Sequence, residues 1–509
     1  MKNKLAIIFI ILVATSLYAL TIRGVAGSPD ALLIKNNLDQ ATKPFELSPE
    51  RGRYAHVFAM AETGRYDLSQ AWADAVYPDI GYANGKFYSY FAPGISYLST
   101  PFYLIGKEFD LEQVFTFGFI SFMSILALIF LYKIAREIFE LPIWASLFAV
   151  FAFAFASTAW SYAITLYQHH VTAFLILSSV YAVWRYTQRG QRSFLWSIYV
   201  WTAYGIAIFI DYPNAILLLP IMVYFLLSSF SFRETSQRYV LSFRMAMLYT
   251  FVAFITLAAL HGYHNEYYFG DWKTVSGSIP GYKTIVERDI LAQSDTEKEI
   301  SQLAPQKNIV AFFKEVNVPR GFYTLTVSLD RGIAIYVPLL LLSLLSIYRI
   351  RKSITPAIAT LLALVGINIL LYSSWGDPWG GWAYGPRYLI PSMAILSLFV
   401  AFWLSRGEVW KKVIAFILFA YSSAIALLGA LTTNAVPPKI EADFLGLKYN
   451  FLYNIDFFMD GRSGSFLYNT YFANTISLQD YFLLIYMALL ILVTVVLFIV
   501  PLFETKHES

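Results

Sequence analysis

Apolar runs long enough to cross a lipid bilayer recur along almost the whole of this 509-residue chain, and they limit its fold more than any other feature. A membrane-spanning helix needs about 20 mainly apolar residues. The sequence therefore predicts an all-α polytopic membrane protein, a single integral membrane domain over residues 1–509 with about twelve spanning helices. The runs lie at about 5–22, 113–133, 141–158, 164–186, 193–210, 212–230, 243–263, 331–348, 354–374, 385–404, 411–431 and 480–503.

The composition excludes an ordinary soluble protein. Hydrophobic residues make up 58% of the chain and charged residues 14%, which leaves too little polar surface to cover a globule of this length. Cysteine is absent, so disulfides, thiolate catalysis and cysteine-ligated metals are excluded. The net charge of +4 has a simple cause in the sidedness of the basic residues, and no nucleic-acid partner is expected.

Basic residues fall in every second connection between the predicted spans. The positive-inside rule assigns such connections to the cytoplasm. Both termini are then cytoplasmic, and the long connections at 23–112, 264–330 and 432–479 are extracytoplasmic loops of a multi-pass plasma-membrane protein. The basic residues are Lys133, Arg136, Arg185, Arg189, Arg192, Arg233, Arg238, Arg244, Arg349, Arg351, Lys352, Arg406, Lys411 and Lys412.

The first apolar run has two interpretations. It follows Lys2 and Lys4, and a basic start before a short apolar core is typical of a signal peptide as well as of a retained helix. Small residues at 24–28 offer a cleavage site. We favour a retained helix, and in both cases the loop that follows is exported.

The predicted spans contain almost no ionisable residues. A charge at the bilayer centre costs about 2.5–3.5 kcal/mol on insertion scales, so it is kept where a transport path requires it. The sequence therefore favours chemistry at the outer membrane boundary, with a substrate that stays partly in lipid. It has no nucleotide-binding glycine loop.

Two carboxylates in the polar, aromatic stretch 49–106 are candidate general bases. Asp79 precedes a turn-forming Asn-Gly pair at 84–85, which predicts an exposed and ordered loop position. Glu50 is the second candidate. Its alternative role is an ion pair with a neighbour such as Arg51, and either carboxylate is otherwise an idle surface group.

Polar residues at the outer ends of spans supply further candidates. Asp211 joins two spans so tightly that its carboxylate must lie near the outer boundary, where it contacts an acceptor hydroxyl or a loop arginine, or caps the next helix. His170 begins one span, and His261 and His264 end another. The simpler role for these histidines is hydrogen bonding at the membrane interface. Binding of a shared divalent metal is the less favoured alternative, and no cofactor is expected.

The second unusual stretch, at 375–388, holds three tryptophans and four glycines. This composition predicts a tight aromatic turn that brings Arg387 to the start of the next helix. Arginine there can hold a phosphate through two parallel hydrogen bonds, or serve as a structural residue whose charge reaches the interface.

Two loops carry weaker patterns. The Tyr-, Phe- and Asn-rich loop 432–479 is suited to holding a glycan, and an interfacial aromatic belt is its simpler interpretation. Residues 294–297 have capping-box spacing, which predicts a short helix to about residue 303.

The order of these motifs along the chain resembles that of prokaryotic GT-C glycosyltransferases, in particular the branch that contains protein O-mannosyltransferases and lipid A aminoarabinose transferases. The similarity extends over nearly the whole chain. It is carried by Arg53, Tyr54, Asp79, residues 84–89, Pro93, Gly94, His170, Tyr212, Pro213 and residues 379–391.

The resemblance implies a GT-C-like bundle whose large first extracytoplasmic loop forms juxtamembrane helices over the active site. It implies an acidic base, Asp79 or Glu50, and cations that hold a lipid phosphate. Two departures are visible. Glu50-Arg51 stands where relatives often have two acidic residues, and Phe91 stands where a lysine is frequent.

The resemblance therefore points to Arg387, Arg53 and Lys86 as the donor phosphate-binding residues. The substrate-binding residues that it implies are Tyr54, Tyr88, His170, Trp379, Trp382 and Tyr384, and Asp211 joins them because of its position between two spans.

Our hypothesis from the sequence is an inverting glycosyltransferase that moves a sugar from a polyprenyl-phosphate donor to a hydroxyl on a protein, lipid or polysaccharide. A flippase or transporter of lipid-linked sugars is the first alternative, and it predicts ionisable groups at mid-depth. A glycan polymerase or ligase that uses a polyprenyl-diphosphate donor is the second.

Overall fold

The computed structural model describes residues 2–36, 44–188, 193–235, 238–282, 308–405 and 408–504. Within these ranges the chain is a mainly helical, polytopic membrane protein. Eight helices are long and apolar enough to cross a bilayer, judged by length and composition. They are Lys2–Thr21, Glu112–Glu137, Ser193–Ile210, Ala246–Phe269, Pro356–Ser373, Arg387–Ser405, Val409–Leu431 and Leu478–Glu504.

The predicted all-α bundle is confirmed, but fewer runs form full-length spans than the twelve expected. Three form shorter apolar helices, Ile143–Phe155, Asn214–Ser229 and Pro338–Ile350. The remaining run forms His169–Thr187, which is buried along most of its length. Prolines stand at or beside the start of each shorter helix, where the missing N–H and fixed φ limit its extent.

The helices of the first half are, in order, α1 (Lys2–Thr21), α2 (Ala31–Asn36), α3 (Ser48–Thr63), α4 (Gln70–Val76), α5 (Gly94–Lys107), α6 (Glu112–Glu137), α7 (Ile143–Phe155), α8 (Ala159–Ala163), α9 (His169–Thr187), α10 (Ser193–Ile210), α11 (Asn214–Leu217), α12 (Leu219–Ser229) and α13 (Ala246–Phe269).

The second half continues with α14 (Val318–Thr326), α15 (Ile333–Tyr336), α16 (Ser343–Ile350), α17 (Pro356–Ser373), α18 (Ile390–Ser405), α19 (Val409–Leu431), α20 (Lys439–Phe444), α21 (Leu452–Met459), α22 (Leu478–Thr494) and α23 (Val500–Glu504). A 3-10 turn, Arg387–Leu389, leads directly into α18.

Two small antiparallel hairpins lie between the helices. Strands β1 (Ile80–Ala83) and β2 (Lys86–Ser89) pair within the first loop, and β3 (Phe230–Thr235) and β4 (Arg238–Phe243) pair between α12 and α13. The turn predicted at 84–85 is confirmed, because both residues have positive φ, 49° and 74°, as a two-residue type I′ turn requires.

The three long connections meet on one side of the bundle, and we call this side the loop face. Bridges join Arg23 to Ser465, Gly81 to Gly281, and Phe313 to Trp375. The loops 23–112, 264–330 and 432–479 therefore contact one another or the tryptophan-rich stretch 375–388. The short helix predicted over 294–303 lies outside the described residues.

The bundle is closely packed around α7, in which nearly every residue is buried. The first helix is part of this packing. The Tyr18 hydroxyl lies 2.9 Å from Ser124 Oγ, and the Trp160 indole donates to Thr21 Oγ1 at 3.0 Å.

A buried arginine ties the loop face together. Arg331 is 0% exposed, and its Nη2 donates to the backbone carbonyls of Gly381 at 2.9 Å and of Val436 and Pro437 at 3.3 Å. These bonds fix the tryptophan-rich stretch against the start of the third long loop.

Candidate functional site

A cavity of about 920 Å³ opens on the loop face. Its walls come from the first loop, from the tryptophan-rich stretch and from the third loop. The first group of lining residues is Arg23, Glu46, Ser48, Glu50, Arg51, Asp79 and Phe91. The second is Trp375, Asp377, Gly380, Gly381, Trp382, Arg387 and Tyr388, and the third includes Thr432, Thr433, Tyr453, Phe457, Arg462, Asn469 and Thr470.

Glu50 lies in the first turn of α3, directly after Pro49. The helix is followed by Gly64, which has the left-handed backbone conformation common after helix ends. Its carboxylate accepts a hydrogen bond from Thr165 Oγ1 at 2.8 Å and one from the Glu46 N–H at 3.1 Å. The residue is 1% exposed, although it lines the cavity. Burial, together with the nearby Glu46 carboxylate, raises the pKa of Glu50 to about 7, although Arg23 opposes the shift.

Glu46 and Arg23 are site residues that the sequence analysis did not identify. They form an ion pair. Glu46 Oε2 also accepts from the Asn434 N–H at 2.8 Å, and Arg23 Nη2 donates to the Gly429 carbonyl at 2.6 Å. The pair therefore joins the first loop to the end of α19. In the sequence the pair is visible only as two charged residues, namely Glu46, four positions before Glu50, and Arg23, just after the first span.

Asp79 also lines the cavity, between α4 and β1. It is half-buried, and it accepts a hydrogen bond from the Ser48 hydroxyl. Ser48 is the first residue of α3, so the bond links Asp79 to the helix that carries Glu50. The two candidate bases thus face the same cavity with different surroundings.

Arg387 lies at the junction between the tryptophan-rich stretch and α18. Its Nη2 donates to the Gly380 carbonyl at 2.9 Å, while Nε and Nη1 are buried without a hydrogen-bond partner among the described residues. The guanidinium carbon is 5.4 Å from the Tyr167 ring and 5.3 Å from the Tyr388 ring. Two guanidinium nitrogens of Arg387 therefore lack a hydrogen-bond partner in the described part of the chain, beside the Tyr388 ring and at the edge of a spanning helix.

Arg53 lies behind the cavity and is not among its lining residues. Its Nη2 donates to Gln168 Oε1 at 2.7 Å, and Gln168 Nε2 donates to Asp211 Oδ2 at 3.1 Å. The guanidinium carbon is 5.8 Å from the Tyr167 ring, on which Arg387 also packs. Burial lowers the pKa of Arg53 to about 10, so the residue stays charged at neutral pH.

Arg51, which the sequence analysis treated only as a partner for Glu50, lines the cavity. It is 9% exposed, its Nη2 donates to the Tyr77 carbonyl at 3.4 Å, and its Nε is buried without a hydrogen-bond partner. The cation adjacent to the cavity in α3 is therefore Arg51 rather than Arg53. Helical geometry explains the difference, because residues two positions apart point to opposite sides of a helix.

Two residues proposed for ligand binding belong to the β1–β2 hairpin and lie outside the cavity lining. Lys86 Nζ pairs with Asp67 at 3.2 Å at the exposed turn. Tyr88 is buried in an aromatic cluster with Tyr66 and Phe269. The hairpin packs against the second long loop and so turns these side chains away from the cavity.

Asp211, which Gln168 links to Arg53, and four further residues predicted to bind substrate also lie outside the lining. The hydroxyls of Tyr54 and Tyr384 are engaged with Ser28 Oγ and the Ile425 carbonyl, at 3.0 Å and 2.6 Å. His170 Nε2 contacts the Ala159 carbonyl at 2.8 Å, and the Trp379 ring is covered by the Arg320 guanidinium at 4.6 Å. These contacts give the four residues packing roles. Trp382, by contrast, lines the cavity and is 41% exposed.

Across the part of the chain that the structure describes, no three His, Asp or Glu side chains converge in an arrangement that could hold a metal ion.

Comparison with known proteins gives structural matches only. No family model and no curated protein matches the sequence. The chain is similar over 96% of its length, and 76% of the other chain, to the crystal structure of ArnT from Cupriavidus metallidurans bound to undecaprenyl phosphate, with a TM-score of 0.47 and 13% identity. The apo state of that protein gives 98% and 77% coverage, a TM-score of 0.46 and 14% identity.

The archaeal oligosaccharyltransferase AglB from Archaeoglobus fulgidus, in complex with an inhibitory peptide and a dolichol-phosphate, is similar over 86% of this chain and 57% of its own, with a TM-score of 0.45 and 14% identity.

Proposed function

We propose that this chain is a glycosyltransferase that moves a sugar from a polyprenyl-phosphate donor to a hydroxyl acceptor at the outer face of the plasma membrane. One observation carries the proposal. A single cavity combines Glu50, a carboxylate whose pKa is raised to about 7, with unpartnered guanidinium nitrogens of Arg51 and Arg387. A base poised near neutral pH beside cationic groups suits an attack by a hydroxyl with a phosphate as leaving group.

The position of Arg387 supports a donor anchored in lipid. The residue begins the candidate span Arg387–Ser405, so we expect its charge to lie near the level where that helix leaves the bilayer. A polyprenyl tail would then lie against the bundle while its phosphate accepts hydrogen bonds from Nε and Nη1 of Arg387. Arg51 would add a second charge-assisted contact. Arg53, linked to Asp211 through Gln168, would hold the Tyr167 ring against which Arg387 packs.

The proposed reaction proceeds with inversion at the anomeric carbon. Glu50 takes the proton of the acceptor hydroxyl as its oxygen attacks the face opposite the phosphate. The bond between the anomeric carbon and the phosphate oxygen breaks, and its electron pair leaves with the phosphate. Arg387 and Arg51 stabilise the negative charge that develops there, which is the largest electrostatic contribution expected in such a site.

Asp79 is the competing candidate for the base, because it lines the same cavity. We favour Glu50, since its burial makes it the stronger proton acceptor at neutral pH. Glu50→Gln and Asp79→Asn separate the two assignments. If Asp79→Asn loses sugar transfer and Glu50→Gln keeps it, Asp79 is the base. If both variants keep sugar transfer, neither carboxylate is the base.

The central experiment uses membranes containing wild-type, Arg387→Ala or Arg349→Ala protein. Arg349 is an exposed arginine outside the cavity and serves as the matched control. Each sample receives radiolabelled polyprenyl-monophosphate sugars or nucleotide sugars. We expect label to reach a product from the lipid donor alone, and only Arg387→Ala to abolish it. Absence of transfer, together with movement of labelled lipid across reconstituted vesicles, would instead support a flippase.

A further inference from the structure

The cavity wall contains a cationic side chain in the third loop, Arg462, in addition to Arg387. Arg462 lines the cavity, and its side chain makes no hydrogen bond or ion pair with the residues that the structure describes. The guanidinium packs on the Phe457 ring, and the guanidinium carbon lies 3.7 Å from the ring centre. The Nε atom is buried without a partner. The residue as a whole is half-buried, and its Nη1 and Nη2 are not among the buried atoms without a partner, so a ligand in the cavity can reach them.

Arg462 and Arg387 occupy different surroundings. Arg387 packs on Tyr167 and Tyr388, on the side of the cavity built by the spanning helices. Arg462 follows α21 in the third loop, and Gly464, two residues further on, lies against the Arg23 guanidinium. Arg23 is already paired with Glu46, whereas Arg462 has no such partner. One donor phosphate held by Arg387 therefore leaves Arg462 unneutralised.

The neighbours of Arg462 in the cavity wall are suited to a sugar. Tyr453, Phe457 and Phe466 line this part of the cavity, together with the polar residues Asn469 and Thr470. Sugar rings pack on aromatic faces while their hydroxyls bond to polar side chains. Aromatic rings around an unpaired arginine thus favour a sugar that carries a negative charge over a neutral one.

We propose that the third-loop wall of the cavity is the acceptor subsite and that it binds a sugar bearing a carboxylate or a phosphate, held by Arg462. This inference rests on the proposed glycosyltransferase function and names its acceptor class. The anionic group pairs with Arg462, and a hydroxyl of the same saccharide faces Glu50 across the cavity.

Ligand binding to the full-length purified protein, saturated with undecaprenyl phosphate, tests the subsite. The probes are methyl glucuronide, glucose 6-phosphate and the neutral methyl glucoside, so that carboxylate and phosphate are compared. We expect at least one anionic sugar to bind about tenfold or more tightly than the neutral sugar, as a charge-assisted contact predicts. Arg462→Gln should remove this difference, Arg462→Lys should keep part of it, and Arg349→Gln should leave it unchanged.

Equal binding of the three sugars by the wild type, or an unchanged preference in Arg462→Gln, would overturn the subsite. So would an Arg462→Gln variant that has weakened binding of undecaprenyl phosphate, because Arg462 would then belong to the donor site. Failure of the proposed function has a separate signature, namely a wild-type protein that does not bind undecaprenyl phosphate at all. Thermal unfolding of each variant shows whether the loop is still folded, and Arg462→Lys keeps the test valid if Arg462→Gln is unstable.

Discussion

The surroundings of Glu50 and Asp79 differ, and this difference is the reason that we propose Glu50 as the base. Glu50 is enclosed, accepts hydrogen bonds from Thr165 and the Glu46 backbone, and has a pKa of about 7. Asp79 is half-buried and accepts from Ser48. An enclosed carboxylate beside a second carboxylate holds its proton more tightly, so it is the better base near neutral pH.

This difference predicts the pH dependence of transfer. A base acts in its deprotonated form, so kcat/KM should rise with pH and level off above a midpoint near 7, set by Glu50. Glu50→Gln should lower kcat by about 10²–10⁴-fold without abolishing donor binding. Radiolabel transfer measured from pH 5 to pH 9 gives the profile. A midpoint close to 4.5, the ordinary value for glutamate, would show that Glu50 is not the titrating base.

Tyr167 is a residue that the sequence analysis did not single out, and it makes a separate prediction. Its ring packs against the guanidinium groups of both Arg53 and Arg387, and its buried hydroxyl has no hydrogen-bond partner among the described residues. Cation–π contacts contribute about 0.5–2 kcal/mol each. We expect Tyr167→Leu to weaken binding of undecaprenyl phosphate by roughly tenfold and Tyr167→Phe, which keeps the ring, by less than about threefold. Equal losses in both variants would assign the effect to the hydroxyl.

Four of the residues predicted from the sequence line the cavity, namely Glu50, Asp79, Arg387 and Trp382. They could be found because charged or aromatic groups beside membrane boundaries are conspicuous in an apolar chain. Glu46, Arg51 and Arg462 could not, because their importance depends on neighbours far along the chain. Glu46, for example, binds Arg23 and the backbone at Asn434.

At the level of elements, His56 fastens α3 to the β1–β2 hairpin. Its Nδ1 contacts the Tyr66 carbonyl at 2.7 Å, and its Nε2 accepts from the Ser89 N–H at 3.0 Å. These two partners fit only the neutral ring with its proton on Nδ1. Burial lowers the pKa of His56 to about 4, below the ordinary value of 6.5.

The His56 contact should make stability depend on pH. Because the folded pKa is below the unfolded one, the stabilising contribution is complete above pH 6.5 and is lost as the pH falls towards 4, by roughly 3 kcal/mol in total. Thermal unfolding at pH 7.5 and pH 4.5 measures the loss, and His56→Asn supplies the reference that lacks this titration. An identical pH dependence in the two proteins would contradict the assignment.

The type of each element was easier to predict than its length or the direction of its side chains. The twelve apolar runs all form helices, since a long apolar run in lipid has few other ways to satisfy its backbone. Their lengths depend on local breaks such as Pro338, and the sequence alone did not show where these shorten a span. The hairpin turn was predicted correctly. The direction of Lys86 was not, because it depends on the pairing with Asp67.

For the whole molecule, the orientation in the membrane remains a prediction that the absence of cysteine makes simple to test. Asp443 lies exposed in the third loop, and Ser353 lies exposed in a basic connection. Each single variant is treated with a membrane-impermeant maleimide. We expect Asp443→Cys to be labelled in intact cells and Ser353→Cys to be labelled only after the cells are permeabilised. The opposite pattern would put the cavity on the cytoplasmic face.

The cavity is assembled from residues near the two ends of the sequence, from Arg23 to Thr470. A ribosome releases these segments in order, so a nascent chain that has inserted α1 to α19 already holds Glu50 and Arg387 but lacks the third-loop wall. By the arrangement that we propose, such a chain has the groups for the donor phosphate but lacks the wall proposed for the acceptor. We therefore expect products of interrupted translation to insert into the membrane without transferring sugar.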